Sequence, residues 1–421
     1  MSSRSETSLV DFTYAPKSLK WMMFIAGALI VIGTLNVYSA TYYMNMESGI
    51  SPYNHLEKHM TFLAMSLLAG WFCAKCPKEW IRQGAMLWSL GTIALLILVF
   101  LAGRTVNGAT RWIYLFGFSL QPSEFAKVTA LIWSASILAK QMNRHEKISL
   151  FSRFFRPFVH FLSSKKENSF LSMVRYFTPL YMPFVMACLV LKQPDMGTAG
   201  MIILFPLLLY VLAGLSWREI GAGFILSCIV FAILTIAEPY RWDRVKVILD
   251  PFPYARNDGY QTVQSLIAVG SGGFFGQSAG GGMAKFLYLP EQFTDFAFAV
   301  FSQEYGFVGA IILLILYGAF MCCGFFTANQ LKNTYGTLLV YGLTLMITLQ
   351  GLVNIAMVIG CFPVTGIPLP FISFGGSSLL TNICAMGLIY GTTVQCLRQS
   401  DREERMRRIA AMEGRSISFH S

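Results

Sequence analysis

Charge is what this sequence has least of. Asp, Glu, Lys and Arg make up 13% of its 421 residues, about half the ~25% usual in a soluble domain. With 55% hydrophobic residues and a mean hydropathy of +0.56, the ordinary soluble class is excluded and the chain reads as a polytopic membrane protein. Histidine is scarce as well: His55, His59, His145, His160 and His420 are the only five. They form no pair, no HExxH zinc motif and no Ser-His-Asp set. Nine cysteines are scattered, mostly in apolar stretches such as those of Cys188, Cys228 and Cys384. The one CxxC, Cys73 to Cys76, has no second pair at zinc spacing, which argues against a metal site. No GxxxxGK[ST] occurs, so a nucleotide P-loop is not supported. A cleavable leader is not apparent either, because a polar lead of about 18 residues precedes an apolar run too long for a signal core.

What the chain does have is length in apolar runs and an excess of positive charge. The runs predict an all-α membrane protein of about ten spans, near 19–40, 59–74, 85–102, from 121 onward, 179–191, 199–213, 220–237, 296–326, 336–359 and 379–395. The net charge of +11 is compatible with nucleic acid, but basic residues also gather in loops that stay in the cytoplasm, and the adjacent spans favour that reading. Lys75, Lys78 and Arg82 mark one such loop. A second, 140–175, interleaves Arg153, Arg156, Lys165 and Lys166 with Phe154, Phe155 and Phe158, the pattern of a helix lying on an anionic leaflet. The expected organisation is a cytoplasmic tail at 1–18, one membrane domain at 19–397 with outside loops at 238–294 and 361–376, and a cytoplasmic tail at 398–421 forming a short helix.

Chemistry concentrates in 281–306, which carries Lys285, Glu291, Asp295 and Glu304 and then enters a span. Ionised groups at such a place are costly and persist where something uses them. By local sequence, Asp295 or Thr294 can equally be a helix-start acid or cap. Glu124 and Lys127 are three apart and share a helix face, either as a structural pair or as ligand-binding groups. Arg111 beside Trp112, after the Asn107-Gly108 turn signal, suits an amphipathic piece at the interface. The turn holding Lys192, Gln193 and Asp195 is expensive at membrane depth unless it lines a cavity. Glycines at 270–276 and 280–282 can wrap a phosphate with backbone N–H groups or serve close packing in a re-entrant loop.

Six stretches together resemble the SEDS family of bacterial cell-wall polymerases: Asn107-Gly-Ala-Thr-Arg-Trp-Ile, Gln121-Pro-Ser-Glu-Phe-Ala-Lys, Gln193-Pro-Asp-Met-Gly-Thr, Tyr260-Gln-Thr-Val-Gln-Ser-Leu-Ile-Ala, Tyr288-Leu-Pro-Glu-Gln-Phe-Thr-Asp-Phe and Gly366-Ile-Pro-Leu-Pro-Phe-Ile-Ser-Phe-Gly-Gly-Ser-Ser. The likeness is greater to the division member, with the elongation member close behind. It implies ten helices with a large outside loop after the seventh, and polymerisation of lipid II at the bacterial inner membrane, at the septum for a division member. The family's essential Asp matches Asp295, as general base. Candidate substrate-binding residues are Arg111, Glu124, Lys127, Gln193, Asp195, Arg241, Lys285, Glu291 and Ser377. The sequence departs from the family pattern at Phe293, where His is common, and at Gln303, where Glu is common. No cofactor is assigned, although a divalent cation such as Mg2+ is compatible with a pyrophosphate leaving group. Expected partners are membrane lipids, a single-span penicillin-binding transpeptidase and other division proteins, and no nucleic acid. Small residues such as Gly309, Gly318, Gly336 and Gly342 permit close approach of a partner helix or of neighbours within the bundle. Transport of the lipid-linked precursor is the competing class.

Overall fold

The computed structural model describes residues 14–106, 109–115, 118–150, 179–278, 280–282 and 289–412, and leaves aside the side chains at 104–106, 109, 115, 118 and 239–241. In chain order come α1 (Lys17–Glu47), α2 (Asn54–Lys75), α3 (Lys78–Gln83), α4 (Ala85–Ala102), β1 (Arg104–Val106), β2 (Ala109–Leu115), β3 (Phe118–Leu120) and α5 (Pro122–Asn143). There follow α6 (Tyr181–Lys192), α7 (Met196–Leu212), α8 (Trp217–Ile236), α9 (Pro239–Leu249), a 3-10 turn (Phe252–Tyr254), α10 (Tyr260–Ser271), α11 (Ala297–Asn329), α12 (Thr334–Val358) and α13 (Gly376–Met412).

Six helices, α1, α4, α8, α11, α12 and α13, are long and apolar enough to cross a membrane, and α6 and α7 are shorter apolar helices. The remaining two long helices, α2 and α5, have 22 residues each, enough for ~33 Å at 1.5 Å per residue, and their charged residues account for their lower apolarity. The chain is therefore a multi-pass helical membrane protein. At its centre α5 and α12 are buried on nearly every side, as expected for α12 of a helix apolar all round and for α5 because its buried Glu124 and Lys127 are paired. At the rim α8 has a single buried residue, Thr235, among its 20.

Lipid does not drive helices together as water does, so close approach depends on small residues. Gly387 and Gly391 of α13 lie directly on the α2 backbone: a Cβ at Gly387 would stand 2.1 Å from the Gly70 carbonyl oxygen, and one at Gly391 2.3 Å from that of Ala74. Gly336 and Gly342 are taken by packing within the bundle, against Cys396 and Leu131, whereas Gly318 faces open space.

Three expectations change. The loop with Arg111 beside Trp112, read as an amphipathic interfacial piece, belongs to a three-stranded antiparallel sheet ordered β1-β2-β3; Thr105, Val106, Thr110, Trp112, Ile113 and Tyr114 are β-branched or aromatic and favour strands. The C-terminal tail is not a separate short helix but continues the last span to Met412, since no Gly or Pro interrupts it after Gly391. The span starting at Ala297 is broken at Gly306, where φ is +66° and ψ is −165°. Most of the basic loop, 151–178, lies outside the described residues.

Candidate active site at the head of α11

Asp295 stands in a tight turn one residue before the N-cap of α11. Glu291 starts the turn with φ +53°, and its carbonyl accepts the N–H groups of Thr294 and Phe296, both at 3.2 Å. The Thr294 hydroxyl donates to Glu291 Oε2 at 2.8 Å, and the N-cap itself, Phe296, makes no side-chain capping bond. The hydroxyl of Thr294 is thus spent inside the turn. The Asp295 carboxylate accepts no hydrogen bond from any described residue. Burial pushes its pKa up to about 7, the charges of Glu291 and Asp195 add to the rise, and Arg111 and Arg244 oppose it.

The backbone around that carboxylate is held from behind. Asn354 of α12, fully buried, donates from Nδ2 to both the Asp295 carbonyl and the Ile367 carbonyl at 2.7 Å. One turn earlier, Gln350 donates to Pro368 O at 3.2 Å. Gly366, with φ +69°, is backed against the carboxylate: a Cβ there would stand 3.3 Å from Asp295 Oδ2. Glycine is the residue that tolerates this left-handed backbone and leaves the oxygen uncovered.

Other loop segments converge on the same place. Arg111 of β2 donates from Nε to Gln193 O at 3.1 Å and from Nη2 to Pro194 O, fixing the α6–α7 turn. Gln193 is itself buried and donates from Nε2 to Leu96 O at 3.1 Å. Asp195 caps α7 by accepting Thr198 N–H at 3.0 Å. Arg244 of α9 donates to Val364 O. Asp295, Glu291, Asp195, Arg111 and Arg244 therefore form one mixed-charge cluster, four of its five members being sequence candidates.

The remaining candidates lie elsewhere or outside the description. Glu124 and Lys127 are both about 2% exposed and pair at 2.8 Å; Lys127 Nζ also donates to Gln350 Oε1 at 2.7 Å. The pair faces the centre of the bundle, behind the Pro368 loop. Ser377 is buried too: its Oγ accepts Gln121 N–H at 2.9 Å and donates to Ser119 O at 3.1 Å, joining β3, α5 and α13. Arg241 begins α9, its side chain outside the description, and Lys285 lies outside the described residues.

The glycine run serves close packing rather than phosphate wrapping. It enters the break in α11 as a succession of turns: Phe307 N–H donates to Gly273 O at 2.9 Å, Val308 N–H to Phe274 O at 3.1 Å and Gln277 N–H to Gln303 O at 3.0 Å. Gly280 N–H donates to the buried carboxylate of Glu304 at 3.1 Å, and Ser39 of α1 donates to the same oxygen. A Cβ at Gly306 would stand 2.3 Å from Gly276 N, and one at Gly276 2.0 Å from Glu304 O. The N–H groups of Gly276, Gln277 and Gly280 are accordingly occupied by protein oxygens.

Sequence reading missed Arg244, Asn354, Gln350 and Gly366. Arg244 lies one helical turn after Arg241, in the same polar run. Asn354 and Gln350 are polar amides four apart inside an apolar span, which is a signal in itself. Two histidines remote in sequence also arrive here: the His55 ring is 5.3 Å from that of Phe293 and 5.5 Å from that of Phe374, with His59 6.2 Å from Phe374. Among the described residues, no three His, Cys, Asp or Glu side chains are grouped to hold a metal ion.

Fold and site together define a multi-pass helical protein whose loops close around one carboxylate at the head of a spanning helix. The chain belongs to the cell cycle protein family of FtsW, RodA and SpoVE, whose model matches residues 20–396. It is similar to a protein of Coxiella burnetii named probable peptidoglycan glycosyltransferase FtsW, with 32% identity over 88% of this chain and 94% of that one. A protein of the same name from Saccharophagus degradans is 31% identical over 88% of this chain and 91% of its own. Among solved structures, one described as the structural coordination of polymerization and crosslinking by a peptidoglycan synthase complex matches with a TM-score of 0.68 and 25% identity, over 89% of this chain and 97% of that chain. The Thermus thermophilus rod shape determining protein RodA shares the fold, with a TM-score of 0.63 over 93% of this chain and 99% of its own.

Proposed function

We propose that this protein is a peptidoglycan glycosyltransferase that joins lipid II units into glycan strands, with Asp295 as general base. The observation that carries the reading is the Asp295 carboxylate, half-buried, accepting no hydrogen bond from any described residue and ionising at about 7, where a general base is most effective. The names of the relatives in Coxiella and Saccharophagus support the same activity.

In the reaction the acceptor sugar's 4-hydroxyl oxygen attacks the anomeric carbon of a polyprenyl-pyrophosphoryl donor. The new C–O bond forms as the bond from that carbon to phosphate oxygen breaks, and the pyrophosphate leaves on its lipid with the electron pair. Asp295 takes the hydroxyl proton and later returns it to water. Arg111 and Arg244 act on the carboxylate, and their positive charge suits the charge that develops on the leaving group; Arg241 and Lys285 are further candidates for that role. Glu291 and Asp195 keep the carboxyl basic. Glu124, Lys127, Gln193 and Ser377 support the frame. Lipid chains rest between helices at the membrane.

The protein works in the bacterial inner membrane beside a penicillin-binding transpeptidase, a pairing in keeping with the synthase complex that shares its fold. FtsW-type relatives favour the division septum over lateral growth, and imaging of a tagged copy separates the two. Reconstituted protein supplied with labelled lipid II is expected to make glycan chains; relocated but unjoined precursor would mean transport instead. Asp295→Asn is expected to lower polymerisation by at least ~10²-fold without unfolding the protein, and retained activity would remove Asp295 from the role of base.

A further inference from the structure

Beside the Asp295 turn lies an open cleft of about 390 Å³, within the range of small-ligand sites. One wall is the α9–α10 turn with Asn257 and Asp258 and the start of α10 with Gln261; the other is the 360–364 loop with Phe362, together with Pro290. The walls are fixed in advance. Ser265 Oγ donates to Val358 O at 2.6 Å, and Arg244, which also lines the cleft, reaches Val364 O. Asn257, Asp258 and Gln261 make no side-chain hydrogen bond to any described residue, so their amide and carboxylate groups are available to a ligand.

The lining has the chemistry of a carbohydrate site rather than a phosphate site. Among the described lining residues the cation Arg244 is matched by one anion, Asp258, so the cleft as a whole carries no excess positive charge. Planar carboxylate and amide groups match pairs of neighbouring hydroxyls. The Phe362 ring and the Pro290 face suit the apolar C–H side of a pyranose. We propose that this cleft holds a sugar ring of the saccharide chain next to the ring that reacts. The inference rests on the polymerase reading. Because the cleft adjoins Asp295 through Arg244 and Pro290 but excludes it, the cleft governs the hold on the chain and not the chemical step.

The test uses purified full-length protein carrying Asp295→Asn, so that binding is read without turnover. Saturation-transfer NMR with the soluble disaccharide of N-acetylglucosamine and N-acetylmuramic acid is expected to show contact, and inorganic pyrophosphate is titrated in parallel. Adding Asp258→Ala and Gln261→Ala should weaken disaccharide binding roughly 10-fold, the size expected for lost hydrogen bonds to a ligand, and leave pyrophosphate binding unchanged. In the otherwise wild-type enzyme the same pair should raise KM for lipid II, shorten the glycan products and leave kcat nearly intact. Asn257→Ala, on the exposed rim, provides a second variant should the pair fail to fold. Disaccharide binding indifferent to these changes, absent altogether, or replaced by pyrophosphate binding that depends on Asp258 would overturn the proposal. Wild-type polymerisation is scored separately: chains made with an indifferent cleft sink only the cleft, and disaccharide bound without chain formation sinks only the polymerase reading.

Discussion

The Asp295 carboxyl sets two pH dependences of opposite sense. As a base it must be ionised, so kcat/KM should rise with pH through a midpoint of about 7, the value burial and the neighbouring acids give it. Removing like charge with Glu291→Gln should move that midpoint down; removing a cation with Arg244→Gln should move it up. Stability runs the other way. Between the ordinary value of 3.8 and about 7, the unfolded chain has lost a proton that the folded protein keeps, so folding weakens as pH rises through that window. Asp295→Asn should therefore raise Tm at pH 8 and change it little near pH 4. A Tm gain equal at both values would mean that the shift in ionisation is not there. Asp295 itself was legible, because an acid beside a span start is costly. Its local alternative as a helix cap fails for a reason local sequence does not display: the cap position falls at Phe296, one residue on. Asn354 was not legible, because reading it required knowing that two loops 59 and 13 residues away in sequence both place a carbonyl on its amide.

Between elements, the break in α11 is what fastens the glycine-rich passage to the helix that follows the Asp295 turn. A helix interrupted at Gly306 exposes N–H groups on one side of the break and carbonyls on the other, and the 272–280 passage supplies partners for both. Glu304, two residues before the break, ties the passage to α1 as well. Gly306→Ala meets two obstacles, a left-handed φ and a Cβ 2.3 Å from Gly276 N. The expected cost is of order 1–3 kcal/mol for the backbone strain, plus whatever the displaced Gly276 forfeits, and thermal unfolding in detergent measures it. Gly318→Ala, on the same helix with nothing within 4 Å, is the control and should be neutral or slightly stabilising. A Gly306→Ala protein as stable as that control would mean that the break is not needed. The glycines announced close backbone contact and left its partner unstated: a phosphate and a broken helix both require Cβ-free backbone with N–H groups turned inward. The apolar composition of 296–326 reads as one uninterrupted span, since Gly306 is only one of several glycines in it.

Across the whole molecule, the helical frame and the Asp295 site meet in α12. Its amides at 350 and 354 hold the Pro368 loop, the Ile367 carbonyl and the Asp295 turn, and Gln350 in turn receives Lys127 from α5. The order of the apolar helices was legible because ~20-residue runs follow from bilayer thickness; the convergence of loop segments on Asp295 was not, because nothing local to a loop reports which distant loop it touches. The Glu124–Lys127 pair illustrates this, since its spacing fits a structural pair and a substrate-binding pair equally. Burial separates the two. Glu124 Oε2 already lacks a hydrogen-bond partner among the described residues, so removing the ammonium leaves a buried anion with nothing opposite it. Lys127→Met should cost roughly 3–5 kcal/mol and shift the Pro368 loop through Gln350. Adding Glu124→Gln removes the stranded charge and should recover most of that stability, as neutral replacements of buried pairs do. Polymerisation by the double variant then decides the matter. Activity returning with stability assigns the pair to the frame, whereas a stable, inactive double variant would return Lys127 to the leaving pyrophosphate and require the Pro368 loop to open during the reaction.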